Sequence, residues 1–268
     1  MDIKNRIDLL SEKELLEKIR EGFINNEFKL YLQFIVANAT KEIVSFEALS
    51  RWENDAGELI FPGKYIGLME KSGLIVDFDY YMFDKVCSKL SEWKDSDFDK
   101  YIISCNITRI TISETDFAEK IKKIADKYEF DRAKLLIEIT EDTIERNMDV
   151  AKNNILKVKN LGFVIALDDI GSGYASFLNL GEYPVDVVKL DRDVLLQAEK
   201  DGKVFLETIS LLHELGFKVV CEGVETEEQN TLVSSSECDY IQGWYYSKVL
   251  SETDILQKAK EYTNSLQR

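Results

Sequence analysis

At 268 residues the chain is long enough to bury a sizeable core without disulfide help, in one large domain or two modest ones. Its 50 acidic against 34 basic side chains leave a net charge of −16, which argues against a nucleic-acid polymer as partner, because such binding rests on cationic side chains neutralising phosphates. No stretch approaches the ~20 apolar residues of a membrane span and the N-terminus has no signal-peptide core, so a cytoplasmic protein is expected.

Residues 1–22 read as a leading helix, with Leu9, Leu10, Leu15, Leu16 and Ile19 at helical spacing and a Ser11/Glu14 capping box marking its start. Eight strand-like runs follow, at 28–36, 42–52, 101–107, 134–140, 163–169, 185–190, 217–223 and 238–244. From the third onward, helical segments such as 148–162 and 206–216 intervene, both closed by glycine. Strands alternating with helices pair in parallel, and eight of them suit a barrel closing on itself. The first two are separated only by residues 37–41, too few for a crossover helix, so they should pair antiparallel.

The expected fold is therefore α/β: a modified TIM-like (β/α)8 barrel over residues 23–262 with its first strand antiparallel to the rest. A doubly wound open sheet is the alternative. Two prolines and no Gly/Ser-rich linker point to a single domain over 1–268. Cys87, Cys105, Cys221 and Cys238 form no CxxC pair and mostly lie in or beside apolar runs, which predicts buried free thiols in a reducing compartment.

Buried barrel strands should be apolar, so a polar residue near a strand's carboxyl end is informative. Such residues recur on seven strands: Glu47, Asn106, Glu138, Asp168 with Asp169, Lys189, Glu222 and Gln242. Taken singly, each has an ordinary reading. A glutamate ending a strand is usually a solvated loop residue, a DD pair before glycine is a turn or helix cap, and Lys189 with Asp191 is a surface ion pair. Their recurrence favours one shared site at the barrel face where such enzymes keep their chemistry. Five carboxylates there would repel without cations, and hard oxygen ligands suit Mg²⁺ or Mn²⁺. Two ions bridged by Asp168, ~3.5–4 Å apart, are the natural arrangement. The only histidine, His213, lies in a helical run away from the strand ends, which excludes a Ser-His-Asp triad.

At these positions the sequence resembles the EAL domain family. FEALSRW contains the Glu47-Ala48-Leu49 tripeptide for which the family is named, and EGVET matches letter for letter. CNIT is similar to the family's NLS strand end, EITED to E-[IL]-T-E, DDIGSGYASF to DDFGTGYSS, KLD to KID and QGW to QGY. The similarity runs from about Leu30 to Leu250, and seven dispersed motifs in fixed order make it specific.

The resemblance implies hydrolysis of one phosphodiester of cyclic di-GMP to linear pGpG, using Mg²⁺ or Mn²⁺ and inhibited by Ca²⁺. It implies Glu47, Asn106, Glu138 and Asp168 as ligands of one ion and Asp168 with Asp169 as ligands of a second. Lys189 is then the lysine beside the attacking water, and Glu222 the base or a further metal-site group. Arg51 is implied to grip a substrate phosphate, for which a planar guanidinium is well shaped, and Gln33, Leu49 and Gln242 to line the substrate pocket. Glu141 is implied to hold the loop from Asp168 to Ser176, and Asp191 to orient Lys189, with Glu225 a further supporting position. Trp93, Trp244, Tyr80 and Tyr81 read as packing residues, with Trp244 or Tyr245 also candidates for a guanine pocket.

Three departures stand out. Phe34 and Val249 occupy positions where the family has proline. The segment between Lys189 and Glu222 is shorter than usual, which makes the homodimer implied by the family less secure. Two rival readings stay open. One is a domain of this type that binds cyclic di-GMP or a protein without turnover, although such domains typically lose a metal ligand and this chain keeps all. The other is a different metal-dependent barrel hydrolase or a two-carboxylate glycosidase, neither of which accounts for Lys189, Gln242 and the EAL and EGVET runs together.

Overall fold

A computed structural model of the chain describes residues 6–140, 148–171, 184–198 and 202–267. A 3-10 turn at Arg6–Leu9 precedes helix α1 (Glu12–Ile24), so the leading helix begins at Ser11 and runs two residues past its expected end. The capping box forms: the Ser11 hydroxyl accepts from the Glu14 N–H, and the Glu14 carboxylate accepts from the Ser11 N–H at 2.8 Å. The apolar stripe of α1 buries Ile19 fully against the barrel.

Strands β1 (Phe28–Ala37) and β2 (Ile43–Glu53) pair antiparallel over most of their length, with Gln33 opposite Glu47. From β2 the pairing is parallel through β4 (Ile102–Asn106), β5 (Leu135–Thr140), β6 (Val164–Ile170), β7 (Val187–Leu190), β8 (Lys218–Cys221) and β9 (Tyr240–Ile241). Strand β9 then pairs antiparallel with β1 and closes an eight-stranded barrel. The expected fold is thus present, reversed first strand included.

Two short strands were not legible in the sequence: β3 (Leu59–Ile60), which pairs antiparallel with the end of β2, and β10 (Leu250–Ser251), which pairs with β1. The eighth run, read as 238–244, contributes only Tyr240–Ile241, so Gln242 sits just past the strand end.

Helices α2 (Ile66–Ser72) and α3 (Ile75–Trp93) follow β2, earlier in the chain than the sequence suggested. Helices α4 (Arg109–Ile112) and α5 (Phe117–Ala125) lie between β4 and β5, and α6 (Met148–Asn160) precedes β6. Helices α7 (Arg192–Ala198) and α8 (Gly202–Glu214) follow β7, and α9 (Glu227–Ser234) follows β8. Helix α10 (Glu252–Leu266) closes the chain against β1. The expected glycines end α6 and α8 in the left-handed region, Gly162 at φ 98° and Gly216 at φ 90°.

Strand alternation divides the apolar residues between two cores. Ile103, Ile137, Ile165, Val188 and Val219 point outward to the helices and join the main core. Ile35, Ala166, Val187 and Val220 point inward and form a separate apolar plug within the barrel. All four cysteines are buried free thiols, and no described helix is long and apolar enough to cross a membrane.

Because the α1 box satisfies two otherwise orphaned groups at the helix start, Ser11→Ala should cost about 1 kcal/mol. For a chain of this size that lowers Tm by roughly 2–4 °C in a thermal melt. An unchanged Tm would mean that α1 adds nothing to the cooperative unit.

Candidate active site

One face of each strand, read in steps of two, points into the barrel. On β2 that face carries Ser45, Glu47, Leu49 and Arg51; on β4, Ser104 and Asn106; on β5, Glu138; on β6, Ala166 and Asp168; on β7, Lys189. Parallel register then brings the polar positions level, with Asn106 beside Glu138 and Thr140 beside Asp168. A polar layer lies above the apolar plug.

Lys189 stands at its centre, 1% exposed. Its Nζ lies 2.7 Å from Glu222 Oε1, 2.9 Å from Glu138 Oε2, 3.2 Å from Asp168 Oδ2 and 3.9 Å from Glu47 Oε2. Burial alone would pull its pKa down. The surrounding carboxylates, Asp168 and Glu138 foremost, outweigh burial and keep the ammonium charged far above neutral pH. Burial pushes the Glu138 carboxyl up to about 8 against the pull of Lys189, and pushes Glu222 well above the usual carboxylate range for the same reason. Asp169 rises to about 6, through burial and the neighbouring Asp168 charge.

The carboxylates form two overlapping groups. Glu47, Glu138 and Asp168 make one and Asp168, Asp169 and Glu222 the other, with candidate ligand oxygens within 4.8 Å of one another in each. Asp168 belongs to both. Asp169 reaches its place through a break in the β6–β7 register and a left-handed backbone at φ 61°, a conformation that aspartate tolerates better than most residues. Its N–H donates to Asp168 Oδ1 at 2.9 Å.

Amides complete the layer. Asn106 Nδ2 donates to Glu47 Oε1 at 3.1 Å, and Gln242 Nε2 donates to Glu47 Oε2 and to Gln33 Oε1, the latter at 3.2 Å. Gln33 in turn donates to the Ser247 carbonyl at 2.7 Å. Gln242 Oε1 is buried with no hydrogen-bond partner among the described residues. The chain passes so close after Gln242 that a Cβ on Gly243 would lie 2.0 Å from the Val224 carbonyl oxygen, which requires glycine there.

Arg51, 9% exposed, donates to the Ser50 carbonyl at 2.7 Å and lies against the Tyr31 and Phe61 rings, 5.8 and 5.1 Å from their centroids. Leu49, half-buried, shares its strand face. The cleft, about 300 Å³, is lined by Gln33, Glu47, Asp168, Asp169, Glu222, Gln242 and others. Trp244, 60% exposed, forms part of its wall, whereas Trp93 is buried in the core.

Supporting positions fall differently. Lys189 is oriented by the four carboxylates, while Asp191, expected in that role, accepts from the Asp193 N–H at 2.7 Å at the start of α7. Glu225 holds Arg192 at 2.9 Å on the cleft rim. Arg192 belongs to no motif, and its place on the cleft was not legible in the sequence. Glu141 and the part of the loop from Ser172 to Ser176 lie outside the described residues. His213 pairs with Asp239 at 2.8 Å, away from the cleft.

Glu138 and Asp169 hold protons more firmly in the folded chain than their ordinary values near 4 allow in the unfolded one. Between those values and about 6 to 8 the folded state therefore binds more protons, and stability must fall as pH rises. In the presence of chelator, Tm is expected to decrease from about pH 5 to about pH 8. A Tm that climbs across that window would contradict the burial assigned to these groups.

The family model of the EAL domain matches residues 16–249. The bifunctional diguanylate cyclase/cyclic di-GMP phosphodiesterase MucR of Pseudomonas aeruginosa is 27% identical over 246 residues, 91% of this chain and 36% of that protein. The cyclic di-GMP phosphodiesterase NbdA of the same organism is 26% identical over 89% of this chain and 31% of its own length. The chain thus spans about a third of these curated relatives. Among solved structures, a MucR phosphodiesterase in complex with c-di-GMP superposes with a TM-score of 0.84 at 26% identity, over 90% of this chain and 99% of that one. An EAL domain protein from Listeria monocytogenes gives a TM-score of 0.75 at 28% identity, over 96% and 98%. With the motifs at the strand ends and the family match over most of its length, this chain belongs to the EAL domain family.

Proposed function

We propose that this chain is a metal-dependent phosphodiesterase that hydrolyses one ester bond of cyclic di-GMP to give linear pGpG. The observation that carries the reading is the pair of carboxylate groups sharing Asp168 above a buried lysine. Five carboxylates against one ammonium make a hard, anionic oxygen set that suits Mg²⁺ or Mn²⁺. Glu47, Asn106, Glu138 and Asp168 would hold one ion, and Asp168 with Asp169 a second. Bound there, divalent ions supply Lewis acidity toward the phosphate and offset its charge.

The chain's own groups do the rest. Lys189 Nζ donates a hydrogen bond that orients the attacking water, and the adjacent Glu222 carboxylate takes the water's proton, a role suited to a carboxyl whose proton affinity burial raises. As the water oxygen bonds to phosphorus, the ester bond to the ribose 3′-oxygen breaks, and that oxygen takes a proton from solvent and leaves as the 3′-hydroxyl of pGpG. Arg51, sheltered by Tyr31 and Phe61, grips the phosphate with paired donors. Gln33, Leu49 and Gln242 contact the substrate, and the unpartnered Gln242 Oε1 suits an N–H of a guanine base. Glu141 holds the 168–176 loop, Asp191 lines the cleft at the start of α7, and Glu225 fixes Arg192 at the rim. The exposed Val204, Leu206 and Leu211 on α8 support a homodimer through that segment. The four buried thiols fit a cytoplasmic setting.

Purified protein incubated with cyclic di-GMP and Mn²⁺ should release pGpG on chromatographic analysis, and Ca²⁺ in place of Mn²⁺ should give binding without product. Glu47→Gln, Glu138→Gln and Asp168→Asn should each lower kcat by roughly 10²–10³-fold, the scale of losing one preorganised electrostatic contact. Tight binding with no product under Mn²⁺ or Mg²⁺ would replace this reading with that of a binding module.

A further inference from the structure

We propose that Asp79, on an outer helix, is a positioning residue that sets Asn106 and thereby the metal affinity of the site; this rests on the proposed reading of Asn106 as a metal ligand. Asp79 lies on α3, 4% exposed, between the buried side chains of Phe78, Met82 and Phe83 on the face turned toward the barrel. Helix packing would be served there by an apolar residue, and a buried carboxylate is costly unless it is hydrogen-bonded. Its bonds show where it acts.

Asp79 Oδ2 accepts from the Thr108 N–H at 2.9 Å, the Thr108 hydroxyl at 2.6 Å and the Thr111 hydroxyl at 2.6 Å. Thr108 is the N-cap residue of α4 and makes no cap bond with its own side chain. Asp79 thus reaches across from another helix and fixes the corner where β4 turns into α4. Asn106, the last residue of β4, lies two positions upstream.

The other flank of the corner is pinned by the barrel, where the Ile107 N–H donates to the Glu138 carbonyl at 2.8 Å. The segment 106–108 is therefore held from two sides: by the strand that carries Glu138, and by α3 through Asp79. Asn106 is itself exposed, and the hydrogen bond recorded for its amide is to Glu47. Its direction consequently depends on the backbone beneath it. With the Asp79 anchor removed, Thr108 and Thr111 lose a shared acceptor, and the Asn106 amide is released from the position set by Glu47.

The test is a double-mutant cycle read by metal binding instead of turnover, comparing wild type, Asp79→Ala, Asn106→Ala and the double variant. Apparent Mn²⁺ affinity is measured from the metal-induced rise in Tm and by calorimetry, with kcat and cyclic di-GMP affinity in Ca²⁺ as companions. Asp79→Ala should weaken Mn²⁺ binding by about 10-fold, the lower end of the range for losing a partner that orients a metal ligand. Its kcat at saturating Mn²⁺ should stay within about threefold of wild type, because the reacting groups remain in place. In the Asn106→Ala background the same substitution should leave Mn²⁺ affinity unchanged. Asp79→Asn, which keeps one acceptor oxygen, should restore part of the affinity and gives a folded variant if alanine does not. An equal loss in both backgrounds, or wild-type affinity in folded Asp79→Asn and Asp79→Ala, would overturn the positioning role. Should Asn106→Ala alone bind Mn²⁺ like wild type, the ligand reading of Asn106 falls and takes this role with it.

Discussion

Lys189 carries its charge into the barrel axis, where solvent is nearly absent, and is held there by Glu47, Glu138, Asp168 and Glu222 within 3.9 Å. An unpaired ammonium at that depth would cost several kcal/mol, and so would each buried carboxylate without it. The lysine and the acids are therefore mutually dependent. They arrive from β2, β5, β6 and β7 and from the end of β8, so their meeting requires that the barrel close in register. Closure in turn requires β1 to run against its neighbours, because one reversed strand joins β2 on one side and β9 on the other.

The barrel interior is divided along its axis. Below the charged layer, Ile35, Ala166, Val187 and Val220 form an apolar plug separate from the main core. Above it the cleft opens toward solvent. One lysine does not balance five carboxylates, and burial together with the neighbouring negative charges raises the proton affinity of Glu138, Glu222 and Asp169. A site built this way is incomplete as a purely stabilising device: a fold selected for stability alone would fill the layer with apolar side chains. The imbalance, the left-handed Asp169 and the enforced Gly243 all lie within one region of the structure. Uncompensated charge together with local backbone strain in one cleft is what a functional site imposes on its scaffold.

Much of this was legible in the sequence because period-two alternation makes an inward-facing carboxylate conspicuous on an apolar strand, as with Glu138 in LLIEIT. The 37–41 gap likewise foretold the antiparallel start, since no crossover helix fits in so few residues. Other features were not legible. Strands β3 and β10 are two residues each and have no periodicity to detect. The resemblance pointed to Asp191 as a partner for Lys189, but Asp191 lies just past the end of β7, and its carboxylate accepts from the Asp193 N–H at the start of α7. Arg192 and Asp79 carry no motif, and each acquires meaning only from what folds against it.

The sequence by itself determined the fold class, the family and the identity of the polar residues at the strand ends, because these depend on local periodicity and on the order of motifs along the chain. Only the tertiary structure decided which of those residues share space: that Asp168 belongs to both carboxylate groups, that Lys189 contacts four acids at once, and that Asp79 reaches the corner below Asn106. The physical reason is that these are contacts between residues far apart in sequence, whose distances are set by strand register and helix docking.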